Sequence, residues 1–180
     1  MSDLLQAIKN RRTIRKFEDK PLQEETLNQV LEAARWAQSW ANTQCWEIVV
    51  VQDPEIKEKL QQTLAKGNPA AKAMVQAPAV LALCAKLEIS GYYKEQVTTK
   101  YGDWFMFDLG LVTQNICLAA HALGLGSVVV GLFDHDQGEK ILKVPAGCAL
   151  VSYIPIGYPA KVPEAPKRKE LGEFVHYETF

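Results

Sequence analysis

No GxSxG elbow, no P-loop and no HExxH helix occurs in the 180 residues. Serine-hydrolase, Walker-type and zincin chemistry lose their usual sequence support. Cysteine is sparse: Cys45, Cys84, Cys117 and Cys148 form no CxxC pair. Three of them lie in apolar segments, so free buried thiols in a reducing cytoplasm fit better than a disulfide frame or a zinc site. The three histidines, His121, His135 and His176, are scattered and read as core or surface residues, not a metal set. No charge sign dominates. The formal net charge of -1 gives neither nucleic acid nor an anionic membrane a bulk electrostatic hold.

Long hydrophobic runs are missing too. The most apolar stretch, Trp104 to Leu125, is interrupted by Asp108, Gln114, Asn115 and His121, so no membrane span is expected. Met1 to Gln6 lacks a basic region followed by an apolar run, so no secretory signal is read and a cytoplasmic location is expected. There is no internal repeat and no low-complexity block. What is present is a chain with a hydrophobic fraction of 48%, enough to close one core; residues 1–180 read as a single domain.

Periodicity predicts an alternation of helices and strands. Leu4 to Asn10 reads as a short helix capped by Ser2 or Asp3. Gln23 to Gln38 reads as a longer one, with Leu27, Val30, Leu31 and Ala34 on one face. Trp46 to Val51 is a β-branched strand ended by Gln52-Asp53-Pro54, and Pro54 opens a helix reaching about Lys66. Ala70 to Val75 reads as a short helix. Ala79 to Ala85 is an apolar run too short for a stable helix and reads as a central strand. Leu87 to Lys100 lacks periodicity and reads as a connection. Tyr101 to Leu123 reads as a long helix, Ser127 to Leu132 as a strand, and Asp134 as the cap of a helix ending at Leu142. Cys148 to Tyr158 is another strand, Pro159 to Pro166 an extended proline-rich arm, and Phe174 to Tyr177 a short terminal strand.

Two of these elements bear on assembly. The long helix carries apolar groups around most of its cylinder, and such a helix must be covered on most sides. A partner subunit or a central place within one protomer would both serve. The proline-rich arm would carry its terminal strand away from the body, to a partner's sheet.

Four segments are candidates for chemistry. Arg11-Arg12-Thr13-Ile14-Arg15-Lys16-Phe17 holds four cations and a hydroxyl. Guanidinium forks suit a phosphate. Lys167-Arg168-Lys169 is a second basic cluster. The two could grip one anion from opposite sides or lie on solvated surface; nucleic acid is disfavoured because only Phe17 offers a neighbouring stacking surface. Ser39 to Trp46 presents amides and short polar groups, either to a heterocycle or as an ordinary capped helix end. Gly124 and Gly126 follow a helix and precede a strand, the wrong order for a dinucleotide fingerprint, and Gly131 lies at that strand's end. Gly131 still allows close approach of a flat ligand. The lack of a classical catalytic set fits an enzyme whose hard chemistry belongs to a cofactor.

In this order, R-R-T-I-R-K-F at 11–17, S-x-x-N-x-Q-C-W at 39–46, D-x-G-L-V-T-Q-N at 108–115, H-A-L-G-L-G-S at 121–127, V-V-G-L-F-D at 129–134, I-G-Y-P at 156–159 and K-R-K-E-L at 167–171 resemble the FMN-dependent nitroreductase family. The resemblance implies an α+β, three-layer fold: a mixed, mostly antiparallel sheet flanked by helices, in an intertwined homodimer whose C-terminal strand reaches the partner. It implies FMN, tightly bound without a covalent link, with NAD(P)H as co-substrate. Arg11, Arg12 and Thr13 would hold the phosphate and ribityl chain, and Arg15 the pyrimidine edge. Ser39, Asn42 and Gln44 would reach in from the other subunit, and Val129, Gly131 and Leu132 would line the ring. Lys167, Arg168 and Lys169 would close on the phosphate. No side chain is cast as an obligatory acid or base; flavin N5 carries the hydride. The acceptor would be a small molecule, a nitroaromatic, quinone or related compound, reduced by a ping-pong route. Reductive dehalogenation, flavin breakdown, or a non-catalytic FMN carrier or sensor are the alternatives. Cys45 departs from the family, where proline is frequent.

Overall fold

A computed structural model describes residues 3–180. Ser2, one of the two expected caps of the first helix, lies outside the described residues. The elements in order are α1 (Asp3–Asn10), α2 (Glu24–Arg35), β1 (Trp46–Val51), α3 (Pro54–Gln62), α4 (Ala71–Gln76), β2 (Ala79–Lys86), the hairpin strands β3 (Tyr92–Tyr93) and β4 (Gln96–Val97), α5 (Phe105–Ala122), β5 (Gly126–Ser127), α6 (His135–Leu142) and β6 (Cys148–Gly157). Single 3₁₀ turns occupy Trp40–Asn42 and Leu171–Glu173.

The apolar run of β2 explains the architecture. The larger sheet has the order β1-β2-β6-β5, and its neighbouring strands are antiparallel. Every residue of β2 except Lys86 is buried. Side chains alternate across a strand. Ala79, Leu81, Leu83 and Ala85 therefore pack with α2 and α5 residues Leu27, Val30, Leu109, Val112 and Ile116. Val80, Ala82 and Cys84 pack on the other face with Leu60, Ala73 and Met74 of α3 and α4. A strand covered on both faces has no polar alternation to show. Leu150 and Tyr153 of β6 share one face despite their odd spacing, because the register shifts at Leu83/Cys84 and one residue is bulged.

Local chemistry sets the helix ends. Asp53 accepts from the Ile56 amide at 3.0 Å with Pro54 in the first turn, and Asp134 accepts from the Gln137 amide at 3.0 Å. The buried Lys57 ammonium donates to the Ala77 carbonyl at 2.8 Å, tying α3 to the end of α4. Burial holds its pKa below the ordinary lysine value. Helix α5 begins at Phe105, not Tyr101, because Gly102 takes a positive φ of 72° and the Asp103 carboxylate receives the Phe105 amide at 3.1 Å.

Three further expectations are corrected. The segment Ser127 to Leu132 is not a continuous strand. It pairs as Gly126–Ser127 and once more at Val130, opposite Tyr153. Pro155 stands between: its carbonyl accepts from Val128, but it has no N–H to return. Phe174 to Tyr177 is not a strand in the protomer; the chain turns at Leu171–Glu173, closed by reciprocal bonds between Glu170 and Glu173, and continues exposed. Leu87 to Lys100 carries the small β3–β4 hairpin, not an irregular connection. The long helix is also only half covered. Leu109, Val112 and Ile116 are buried, while Met106 and Phe107 remain 59% exposed. No helix among the described residues is long and apolar enough to cross a membrane.

Gly126 is where the fold tests its tolerance. A Cβ built there lies 2.5 Å from Ile14 Cγ1 and 2.6 Å from Ile14 Cβ. Gly126→Ala is expected to destabilise the protein by about 1–3 kcal/mol, the usual range for overpacking. Urea denaturation measures it; an unchanged midpoint would show that Ile14 is not seated there.

Candidate functional site

The basic segment 11–17 is an extended arm locked to the sheet. Its bridge to Ser127 is parallel, the Ile14 amide donates to the Ser127 carbonyl at 2.9 Å, and Phe17 bridges Pro159. Ile14 and Phe17 point inward and are buried, which leaves Arg15 and Lys16 exposed. On its far side the Ala160 amide donates to the Lys16 carbonyl at 3.0 Å. From there the proline-rich arm returns across the same segment.

The result is a cavity of about 280 Å³ lined by Arg11, Arg12, Thr13, Arg15, Pro163, Glu164, Pro166 and Arg168. The basic clusters from the two ends of the chain therefore meet. Of the three C-terminal cations only Arg168 lines this cavity; Lys167 and Lys169 are exposed outside it. Arg12 is partly committed: its Nη1 donates to the Lys9 carbonyl at 2.6 Å and to the Arg11 carbonyl at 2.9 Å, closing the end of α1. No ion pair ties Arg11, Arg15 or Arg168 to another described residue. Four guanidinium groups against one carboxylate leave a strong local excess of positive charge. Planar forks with unspent donors fit a phosphate well.

A neighbouring cavity of about 200 Å³ shares Arg12 and is lined also by Asn10, Ile14, His121, Gly124, Leu125, Pro159 and Val162. Desolvation first, and then the charges of Arg11 and Arg12, hold His121 below the ordinary histidine pKa.

Ser39, Asn42 and Gln44 do not line either cavity. They form a self-bonded loop: the Gln44 amide donates to Ser39 Oγ at 3.0 Å, and Gln44 Nε2 donates to Asn42 Oδ1 at 3.2 Å. Ala41, Asn42 and Gln44 all have positive φ, at 43°, 57° and 49°. Left-handed backbone is common for asparagine but strained for alanine and glutamine. The buried Thr43 Oγ1 has no hydrogen-bond partner among the described residues. Such strain and an unspent polar atom are typical of a built binding loop.

Val129 and Leu132 are exposed, and a Cβ at Gly131 would meet nothing within 4 Å. This edge is open within the protomer. One protomer thus assembles the phosphate-type pocket and leaves the loop and the edge as separate surfaces. Sequence reasoning missed Glu164 and the prolines beside it, although an arm returning basic residues to 11–15 had to line whatever it crossed. It marked Asp108 as a break in an apolar stretch and as the start of a family motif, but gave it no role.

Other concavities lack convergent chemistry. One of about 700 Å³ is a shallow solvated face of α2 among Glu24, Glu25 and Glu32. Cys84 and Cys148 line an apolar cavity of about 250 Å³, where burial first, and then nearby negative groups, pushes the Cys84 thiol up to about 12. It stays protonated and unreactive at neutral pH.

The sequence profile of the nitroreductase family matches residues 8–158. The NADH dehydrogenase of Thermus thermophilus is 31% identical, with 88% of this chain and 88% of that protein aligned. The FMN reductase (NAD(P)H) of Bacillus subtilis is 30% identical across 100% of this chain and 75% of that protein. Among solved structures, an FMN-dependent nitroreductase from Clostridium difficile R20291 superposes with a TM-score of 0.81 at 27% identity, covering 98% of this chain and 99% of that one. The NADPH:FMN oxidoreductase of Vibrio harveyi complexed with NAD+ gives 0.83 at 26% identity, covering 99% and 78%.

The arginine cavity makes a prediction about His121. A bound dianion offsets the field of Arg11 and Arg12, so sulfate is expected to raise the His121 pKa, and Arg11→Ala to raise it without sulfate. By linkage, sulfate binds more tightly as pH falls through the His121 range. An NMR titration of the ring shifts measures both; a pKa unmoved by sulfate and by the substitution would dissociate His121 from the pocket.

Proposed function

The chain belongs to the nitroreductase family, and from that premise we propose that it is an NAD(P)H-dependent FMN oxidoreductase reducing nitroaromatic, quinone or related small acceptors by a ping-pong route. The observation that carries this reading is the convergence of Arg11, Arg12, Thr13, Arg15 and Arg168 on one cavity. The donor set fits a phosphate monoester: several forks, a hydroxyl and little competing anionic charge. Arg11, Thr13 and Arg168 would take the phosphate of FMN, with Arg12 bracing α1 beside it. Arg15, which is exposed, would face the pyrimidine edge, where a cation favours an electron-rich ring. Lys167 and Lys169 would add long-range attraction but no direct contact.

When bound, FMN supplies the two-electron redox chemistry. The protein's own tasks are position, charge and exclusion of water. In this reading the Ser39–Gln44 loop and the open edge at Val129, Gly131 and Leu132 complete the ring site across a subunit seam. A second copy is also the natural cover for exposed apolar groups: Leu4 and Ile8 on α1, Met106 and Phe107 on α5, and the tail aromatics. A surface of this kind marks an interface. In this reading the exposed C-terminal tail, delivered by a stiff proline arm, would embrace that copy. NAD(P)H and the acceptor would then use the same exposed ring face in turn.

The purified protein is expected to be yellow, or to become so on adding FMN, and to be a dimer by sedimentation. NADH or NADPH should bleach it rapidly, and a nitroaromatic or quinone should restore the colour. A colourless protein unchanged by FMN would remove the reading, and a flavin binder that nucleotides do not bleach would be a carrier. Arg11→Ala and Arg15→Ala should each weaken FMN binding by about 1.5–3 kcal/mol, roughly ten- to a hundredfold, as expected for a lost charge-assisted bond. Fluorescence titration of FMN tests this, and unchanged affinity in both would detach these residues from the cofactor.

A further inference from the structure

We propose that Asp108 is a positioning residue that fixes the Ser39–Gln44 loop to the β3–β4 hairpin, with the Cys45 thiol as one of its donors; the cofactor consequence rests on the FMN reading above. Asp108 is 0% exposed in the first turn of α5. Its Oδ1 accepts the Trp40 amide at 3.0 Å, and its Oδ2 accepts the Ser90 hydroxyl at 2.7 Å and the Cys45 thiol at 3.6 Å. A buried carboxylate without partners would be strongly disfavoured. Here neutral donors from two segments, assisted by the start of a helix, hold it in place. None of the three side-chain or backbone donors is a cation, so the carboxylate serves as a geometric hub and not as half of an ion pair.

Cys45 is fully buried. Burial, then the charge of Asp108, pushes its thiol up to about 12, so it remains a donor across the physiological range. A residue without a side-chain donor at this position would leave Oδ2 with one fewer bond.

A second tie runs in parallel. The Trp40 ring lies 4.9 Å from that of Trp104, which also packs on Phe107 at 5.3 Å. Trp104 Nε1 donates to Thr99 Oγ1 at 2.7 Å. Gly91 permits this packing, because a Cβ there would lie 2.7 Å from both the Trp104 ring and the Gly102 carbonyl. Loop and hairpin are therefore tied as one unit, and the strained residues Ala41 and Gln44 are held from outside. The arginine cavity has no part in this hub. The clamp should govern loop order and the ring end of the cofactor, not capture of the phosphate.

The test uses the full chain as wild type, Asp108→Asn, Ser90→Ala, Cys45→Ala and Cys45→Ser. Hydrogen exchange at the Trp40 and Gln44 amides reads loop order without flavin. FMN affinity and the sulfate response of His121 read the two ends of the cofactor site separately. Asp108→Asn is expected to lower protection at Trp40 and weaken FMN about tenfold or more, with the sulfate response intact. Cys45→Ala should do the same to a smaller extent, and Cys45→Ser should restore wild-type values. Unchanged Trp40 protection in Asp108→Asn and Ser90→Ala overturns the clamp, as does a parallel loss of FMN and sulfate responses. If Asp108→Asn does not fold, the Cys45 pair and Ser90→Ala decide. A wild-type protein that binds no FMN defeats the flavin reading alone, because Trp40 protection still judges the clamp.

Discussion

The seat of Ile14 on Gly126 determines where the charge of this molecule is concentrated. One parallel bridge, Thr13 to Ser127, and one close side-chain contact hold the basic arm beside β5. From that placement the rest follows. Arg11, Arg12 and Arg15 are aimed at a common space, and the proline-rich arm crosses it, bringing Arg168 from more than a hundred residues away. Gathering like charges in this way is unfavourable by itself. The packing of Ile14 and Phe17 against the sheet overrides it, and the surplus of donors suits the cavity to an anion.

The sheet was the part most legible in the sequence. The apolar run at Ala79 to Ala85 marked a strand covered on two faces, and Pro54 and Asp134 marked helix starts through their cap chemistry. Errors arose where a non-local neighbour decided. Pro155, on another strand, interrupts the pairing of Val128 to Leu132. Phe174 to Tyr177 has strand composition but pairs with no described strand of the protomer. The hairpin before α5 depends on Gly91 fitting beneath Trp104, which no window of local sequence reveals.

The site divided along the same line. Guanidinium chemistry at 11–15 and 167–169 is visible in composition, which left a shared anion and a solvated surface as alternatives; the fold brings the clusters to one cavity and singles out Arg168. The loop at 39–44 was marked by its polar residues. Its left-handed backbone was not, because alanine and glutamine have no preference for that conformation and adopt it under constraint from Asp108. Asp108 stood in the sequence as a flaw in an apolar helix; its role appears only when Trp40, Cys45 and Ser90 are seen around it.

Arg12 has a consequence for the order of the amino terminus. The same guanidinium that closes the last turn of α1 also faces the anion cavity. An eight-residue helix is marginal on its own, and this one buries none of its described side chains. Occupancy of the cavity and integrity of the first helix would thereby share the Arg12 side chain. Filling the cavity would then bear on the last turn of α1 as well as on the ligand.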